Sequence, residues 1–161
     1  MALIYFSPKE ALYHFAEQQL KPFQVILSNE TLKDNGFSLV IQNASLSVEK
    51  IPSATIHKIT ITPLGFYNDI SMKNIILSNA IKSFAPTKIT DIKIQYTLFQ
   101  PLFIKLNGEG AFGTFYGTLN LQTRKLHIVM QPSKIMKTKY KTTLRNLKKT
   151  KNGVYIYEQN L

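Results

Sequence analysis

In residues 92–98, IKIQYTL, apolar and polar side chains alternate without a fault. This two-residue period is typical of a β-strand that has one buried side and one solvent-facing side. After Pro101 the alternation resumes, and further apolar sets follow as far as Met130. Because consecutive strands joined by short turns pair in antiparallel fashion, residues 92–130 predict an antiparallel meander.

The same period predicts further strands before this stretch. Asp34-Asn35-Gly36 is a hairpin turn signal between two alternating sets. Pro52 is expected to break one strand and Pro63 to end the next, because proline cannot donate to a β-ladder. We also expect a turn at Gly108-Glu109-Gly110. The pattern in residues 66–86 is ambiguous: Ile70, Met72 and Ile75 through Leu77 fit a strand, whereas Asn79–Phe84 fits a helical turn.

Two helices flank the predicted strands. Ser7-Pro8 followed by Glu10 has the chemistry of a helix start, and residues 142–150 predict a short helix that ends at Asn152-Gly153. We therefore predict a mainly β (α+β) fold: a curved antiparallel meander with an N-terminal helix over residues 8–20 and a short C-terminal helix. No linker divides the chain, so residues 1–161 are expected to form one domain. The apolar face of the first helix comprises Leu12, Phe15, Ala16 and Leu20.

Positive charge is concentrated at the C-terminal end. The 161-residue chain has a formal net charge of +11, of which +9 falls in residues 110–161, where Glu158 is the only carboxylate side chain. A positive field of this kind attracts phosphate-rich surfaces, either anionic lipid or nucleic acid. The chain has no cysteine, which excludes disulfides, thiol catalysis and thiolate metal sites.

The sequence offers little for catalysis. His14, His57 and His127 are each isolated in sequence, and phosphate-loop, zinc-pair and nucleophile-elbow motifs are lacking. We therefore predict a protein that is not an enzyme and uses no metal or other cofactor, although a site that assembles only on folding stays open as an alternative.

Two sets of residues are candidates for binding. The basic set could be a solvated face, a site for anionic lipid or a partner protein, or a nucleic-acid site with Tyr140, Tyr155 and Tyr157 as stacking surfaces. The apolar set could be ordinary core or an open groove on the sheet. The basic patch consists of Lys134, Lys137, Lys139, Lys141, Arg145, Lys148, Lys149 and Lys151. The apolar groove candidates are Phe115, Leu119, Leu121, Ile128 and Met130.

A family resemblance is carried by several motifs of this sequence. They are Gln100-Pro101-Leu102-Phe103-Ile104-Lys105-Leu106, the glycines Gly108, Gly110, Gly113 and Gly117, Arg124-Lys125, Gln131-Pro132-Ser133 and the opening Ser7-Pro8 with Ala11-Leu12. With these motifs the chain resembles the type II secretion N-protein (GspN) family and the broader group of AsmA-like envelope proteins.

The resemblance implies a periplasmic protein anchored to the inner membrane, with a curved sheet, an apolar concave face and no catalytic residues. Its expected partners are envelope or secretion-machinery proteins. The positive charge described above adds an anionic lipid or membrane surface as a partner, with nucleic acid as the less favoured alternative. The anchor would lie upstream of this sequence. The apolar segment Leu3-Ile4-Tyr5-Phe6 is then either the tail of that anchor or a short lead-in to the first helix.

Overall fold

In the part of the chain that the structure describes, eleven strands form one open sheet in which every neighbouring pair is antiparallel, so the predicted mainly β antiparallel fold is confirmed. The computed structural model describes Lys9, Tyr13, His14, Glu17, Gln18 and residues 21–161. The strands are β1 Val25–Ser28, β2 Thr31–Asp34, β3 Leu39–Val48, β4 Ile51–Pro63, β5 Tyr67–Leu77, β6 Lys88–Thr97, β7 Phe103–Gly110, β8 Gly113–Asn120, β9 Lys125–Pro132, β10 Lys148–Lys149 and β11 Tyr155–Asn160. They follow one another across the sheet from β3 to β9, with β1 and β2 beside β3, and with β11 and β10 beyond β9.

One face of the sheet is apolar from β3 to β11. Residues that lie opposite each other in an antiparallel pair point to the same face, so the register of each pair defines rows that cross the sheet. One such row is Leu39, Ile61, Ile70, Ile94, Leu106, Gly117, Ile128 and Tyr157. The opposite face carries polar rows such as Gln42, Lys58, Lys73, Asp91, Glu109, Thr114 and Gln131.

A line of four exposed residues interrupts the alternation in β3 to β6. Asn43, His57, Asn74 and Thr90 occupy matching register positions in adjacent strands, between regularly paired residues. Asn43 and Asn74 have positive φ angles of 56° and 52°, a conformation that asparagine tolerates better than most residues. In each of these strands, the residues that face the apolar side therefore have odd numbers on one side of this line and even numbers on the other.

The first hydrophobic core covers the β3–β5 part of the apolar face. Leu39, Ile41 and Ile59 are buried there together with Tyr13, whose position is helical, as are Lys9, His14, Glu17 and Gln18. The Tyr13 hydroxyl donates to Glu30 at 3.1 Å, and burial together with this carboxylate raises the pKa of Tyr13. These residues agree with the predicted N-terminal helix; its predicted apolar face and the segment Leu3–Phe6 lie outside the described residues.

A second, smaller core lies where the chain leaves β9. Two short helices, α1 Lys134–Lys139 and α2 Lys141–Arg145, bury Met136 and Leu144 against Phe112. The Ser133 hydroxyl caps α1 because it accepts a hydrogen bond from the Met136 amide at 3.2 Å. The same hydroxyl donates to the Ala111 carbonyl at 2.7 Å, which fixes the helix to the β7–β8 turn.

The C-terminal helix prediction is wrong in its extent. The helix predicted over residues 142–150 ends at Arg145, and Lys148–Lys149 form a strand that pairs with Tyr155–Ile156. Asn152-Gly153 consequently turns between β10 and β11 instead of ending a helix; Gly153 has a φ of 76°. Helix α1 was not predicted.

One predicted strand break and one predicted turn in the meander are also wrong. Pro52 lies inside β4, opposite Ser47 and beside a register shift. The regular pattern of backbone hydrogen bonds is interrupted there, so proline, which has no amide hydrogen to donate, is tolerated. The chain reverses instead at Glu49-Lys50, where both φ angles are positive. Gly108-Glu109-Gly110 belongs to β7, and the turn lies at Ala111-Phe112. In contrast, the predicted turn at Asp34-Asn35-Gly36 is confirmed by a 2.7 Å hydrogen bond from the Gly36 amide to Asp34.

Candidate basic pocket and open apolar face

A pocket of about 570 Å³ lies between the two short helices and the last two strands. Helix α1 contributes Lys137, α2 contributes Lys141 and Arg145, and β10 contributes Lys149. The rest of the lining is neutral and includes Leu144, Leu147, Gly153 and Tyr155. Four cationic side chains therefore surround a largely apolar floor.

The structure brings half of the predicted basic patch into this pocket. Lys137, Lys141, Arg145 and Lys149 line it, whereas Lys134, Lys139, Lys148 and Lys151 do not. All eight side chains are exposed. Within the described part of the chain, none of the eight forms an ion pair with a carboxylate, so their charges are available to an external anion.

The helices place these cations because their apolar side chains face the sheet. Met136 and Leu144 are 2% and 4% exposed, and both helices are too short to bury more than one side chain fully. The basic residues between and beside these anchors consequently point outward. Lysine and arginine stems also cover apolar surface while their charged ends stay in water, which suits the rim of a pocket with an apolar floor.

The apolar face of β6–β9 is covered less completely than that of β3–β5. In β3–β5 several inward residues, such as Leu39 and Ile59, are buried. Two rows of four residues cross β6–β9; one of these eight residues is Gly117, and the seven others are each only partly buried. None of these seven belongs to either hydrophobic core of the described residues. This surface, the open apolar face, consists of Ile94, Tyr96, Ile104, Leu106, Leu119, Leu126 and Ile128.

The five groove candidates divide between three environments. Leu119 and Ile128 belong to the open apolar face. Phe115 and Met130 lie on the same side of the sheet but pack against the second core. Leu121 lies in the β8–β9 turn and is exposed. Sequence reasoning missed Ile94, Leu106 and Leu126 as part of this surface, because only strand register shows which alternating residues share it.

The basic pocket and the open apolar face adjoin each other on one side of the sheet. Tyr155 lines the pocket and lies opposite Met130, and two residues along β9 is Ile128 of the open apolar face. Side chains two residues apart in a strand share a face. A ligand in the pocket could therefore continue along the open apolar face without crossing a polar row.

The histidines occupy separate places. His14 contacts Glu17 at 3.4 Å, His57 is exposed in β4, and His127 contacts Glu158 at 3.0 Å. Hydrogen bonds from His127 and Lys125 lower the pKa of Glu158. Among the residues that the structure describes, no group of three or more His, Asp or Glu side chains could hold a metal ion. The described helices include none that is long and apolar enough to span a membrane.

Comparison with known proteins yields no matching family model, no matching curated protein and no matching solved structure. The resemblance to the type II secretion N-protein family therefore stays a prediction that rests on the motifs quoted above. The fold and the geometry of the pocket and the open apolar face are the basis for a functional proposal.

Proposed function

We propose that this chain is a binding domain of the bacterial envelope whose ligand is an anionic amphiphile of the phospholipid class. The phosphate occupies the basic pocket and an acyl chain lies along the open apolar face. The observation that carries this proposal is the direct connection between four cationic side chains and an apolar surface at Tyr155.

The pocket suits a phosphate that is attached to an apolar group. Arg145 can bind two phosphate oxygens at once, and Lys137, Lys141 and Lys149 add mobile positive charge. A free inorganic phosphate would leave the floor of Leu144, Leu147 and Tyr155 in contact with water. A ligand that brings its own apolar surface removes that surface from water and gains about 25 cal/mol per Å².

The open apolar face has a suitable length for an acyl chain. Along β9, Leu126 at the outer row of this face lies four residues from Met130 beside the pocket, which corresponds to roughly 13 Å at the usual rise of a strand. One layer of acyl chains in a bilayer is about 15 Å thick. Each methylene group that leaves water contributes about 0.8 kcal/mol, so the chain can supply much of the affinity while the pocket selects the headgroup.

The cellular setting is part of the same proposal. We place the domain in the periplasm, held at the inner membrane by an upstream segment, with envelope or secretion-machinery proteins as partners. The support is the resemblance to secretion N-proteins and AsmA-like proteins together with a pocket lining that offers charge and apolar contact. Fractionation of cells that express the full-length gene product tests this location: recovery in the cytosol would contradict it.

The pocket is tested by charge-matched variants and native mass spectrometry. Lys141→Gln with Arg145→Gln removes two cations from the pocket, and we expect at least about a tenfold loss of affinity for phosphatidylglycerol. Lys134→Gln with Lys139→Gln removes the same charge from the patch outside the pocket. We expect less than about a threefold loss in this control, because exposed charges away from the ligand act only through a screened field.

Two results would contradict the proposal. Equal losses in both variants would show that net charge, and not the pocket, attracts the lipid. Tighter binding of a single-stranded oligonucleotide than of phosphatidylglycerol at the same salt concentration, with affinity that falls steeply as salt increases, would favour the nucleic-acid alternative.

A further inference from the structure

Large exposed apolar side chains gather at one end of the sheet. The β4–β5, β6–β7 and β8–β9 turns all lie at this end, because Tyr67 pairs with Thr97 and Phe103 pairs with Asn120. Phe99 at the tip of the β6–β7 turn is 83% exposed. We refer to this group as the apolar rim; it consists of Phe66, Leu98, Phe99, Leu102, Phe103 and Leu121.

The backbone of the apolar rim is tied together by hydrogen bonds between neighbouring turns. The Leu98 amide donates to the Phe66 carbonyl at 3.0 Å, and the Leu121 amide donates to the Leu102 carbonyl at 2.8 Å. Asn120 additionally accepts from the amides of Gln122 and Thr123 at 2.9 and 3.0 Å. Partnered amides make the transfer of these turns out of water less costly, because a free backbone group in an apolar medium is strongly unfavourable.

The charge of the rim turns is low and positive. Residues 64–66, 98–102 and 121–124 contain one charged side chain, Arg124, and no carboxylate. An apolar tip with a neighbouring cation matches the boundary between the acyl layer and phosphate headgroups of a bilayer. A row of protruding tips is also better suited to a fluid acyl layer than to the flat, closely packed centre of a protein interface.

The rim continues into the open apolar face. Tyr96, Ile104, Leu119 and Leu126 form the last inward-facing row before the turns, and Leu98, Leu102 and Leu121 follow directly in the turns themselves. We propose that the apolar rim inserts into the acyl layer of a membrane, with the sheet standing on its turns and the basic pocket at the far end. Such an orientation would also let a lipid chain pass from the bilayer onto the open apolar face. That second step rests on the proposed function, whereas insertion of the rim does not.

A tryptophan reporter can locate the membrane-contacting end, because the chain has no tryptophan of its own. Phe99→Trp places the reporter in the rim, and Phe84→Trp places it in the β5–β6 connection at the opposite end, where Phe84 is 64% exposed. With vesicles of phosphatidylcholine, which has no net charge, we expect a blue shift of the Phe99→Trp emission and quenching of that emission by brominated acyl chains. The emission of Phe84→Trp should not change.

Loss of the rim's apolar character should weaken vesicle binding. In a flotation assay over a series of concentrations of the same vesicles, Phe99→Ser should reduce the partition coefficient by about tenfold or more, because one large apolar side chain loses its burial. Phe84→Ser is the matched control and should leave binding unchanged.

Three results would overturn the proposal. They are an unchanged Phe99→Trp emission, equal responses of both reporters, and a blue shift that depends on protein concentration without vesicles. The third would identify a second copy of the chain as the occupant of the rim. Vesicle insertion that persists in the Lys141→Gln, Arg145→Gln background would separate this inference from the proposed lipid pocket.

Discussion

Gly108 and Gly117 leave space that neighbouring side chains of the apolar face occupy. A Cβ atom at Gly108 would lie 2.6 Å from Phe115 and 2.9 Å from the Asp91 carbonyl oxygen. At Gly117 it would lie 2.7 Å from the His127 carbonyl oxygen and 3.0 Å from Ile128. These glycines are therefore required by close packing on a strand and not by a turn, which explains why the turn expected at Gly108-Glu109-Gly110 does not form.

We predict that Gly108→Ala lowers the free energy of unfolding by about 1–3 kcal/mol, the usual cost of overpacking. The ring of Phe115 would have to move, and the Asp91 carbonyl belongs to the backbone of β6, which cannot rotate away. Urea unfolding measures this change. Asn107→Ala, at the adjacent exposed position on the polar face, is the control and should stay within about 0.5 kcal/mol of the unaltered protein.

At the scale of elements, the sequence predicts the strands well wherever apolar and polar residues alternate without interruption. Residues 92–98 fall in β6 as predicted, apart from Leu98 in the turn. The pattern in residues 66–86 is ambiguous because Asn74 interrupts the two-residue alternation within one strand, β5. Met72 faces the apolar side, and the next residue that does so is Ile75, three positions later instead of two. The period therefore appears broken in the sequence although the strand is continuous.

The C-terminal elements could be predicted only in part, because tertiary contacts set their limits. Leu144 and Leu147 have helical spacing, but α2 ends at Arg145 since Lys148-Lys149 pair with β11. The basic patch itself was evident from composition. Its division into pocket and non-pocket residues was not, because that depends on how α1 and α2 dock on Phe112.

Helix α1 depends on its capping residue, so we predict that Ser133→Ala destabilises the protein by about 1–2 kcal/mol. The substitution removes the cap of the Met136 amide and the 2.7 Å hydrogen bond to Ala111. Thermal unfolding measures the loss. Thr138→Ala in the same helix is the control: Thr138 is exposed and bonds only to its own helix, so alanine should be neutral or slightly stabilising. A similar loss in both variants would contradict the capping role.

At the scale of the whole molecule, the sheet is packed unevenly along its length. The β3–β5 part has a core of fully buried side chains, whereas the rows of the open apolar face in β6–β9 are only partly buried. Local stability follows the amount of buried apolar contact. Without a ligand, the amides of β7–β9 should therefore exchange with solvent faster than those of β3–β5.

Addition of phosphatidylglycerol should reduce this difference, because an acyl chain would supply the contacts that the open apolar face lacks. At a lipid concentration about 100 times the Kd, a ligand that binds only the folded state stabilises it by about 2.7 kcal/mol. Hydrogen–deuterium exchange followed by mass spectrometry should place the largest slowing in β7–β9. Lys141→Gln with Arg145→Gln should abolish most of that slowing without changing exchange in the ligand-free protein. Slowing that is greatest in β3–β5, or equal in both parts of the sheet, would show that the lipid does not occupy the open apolar face.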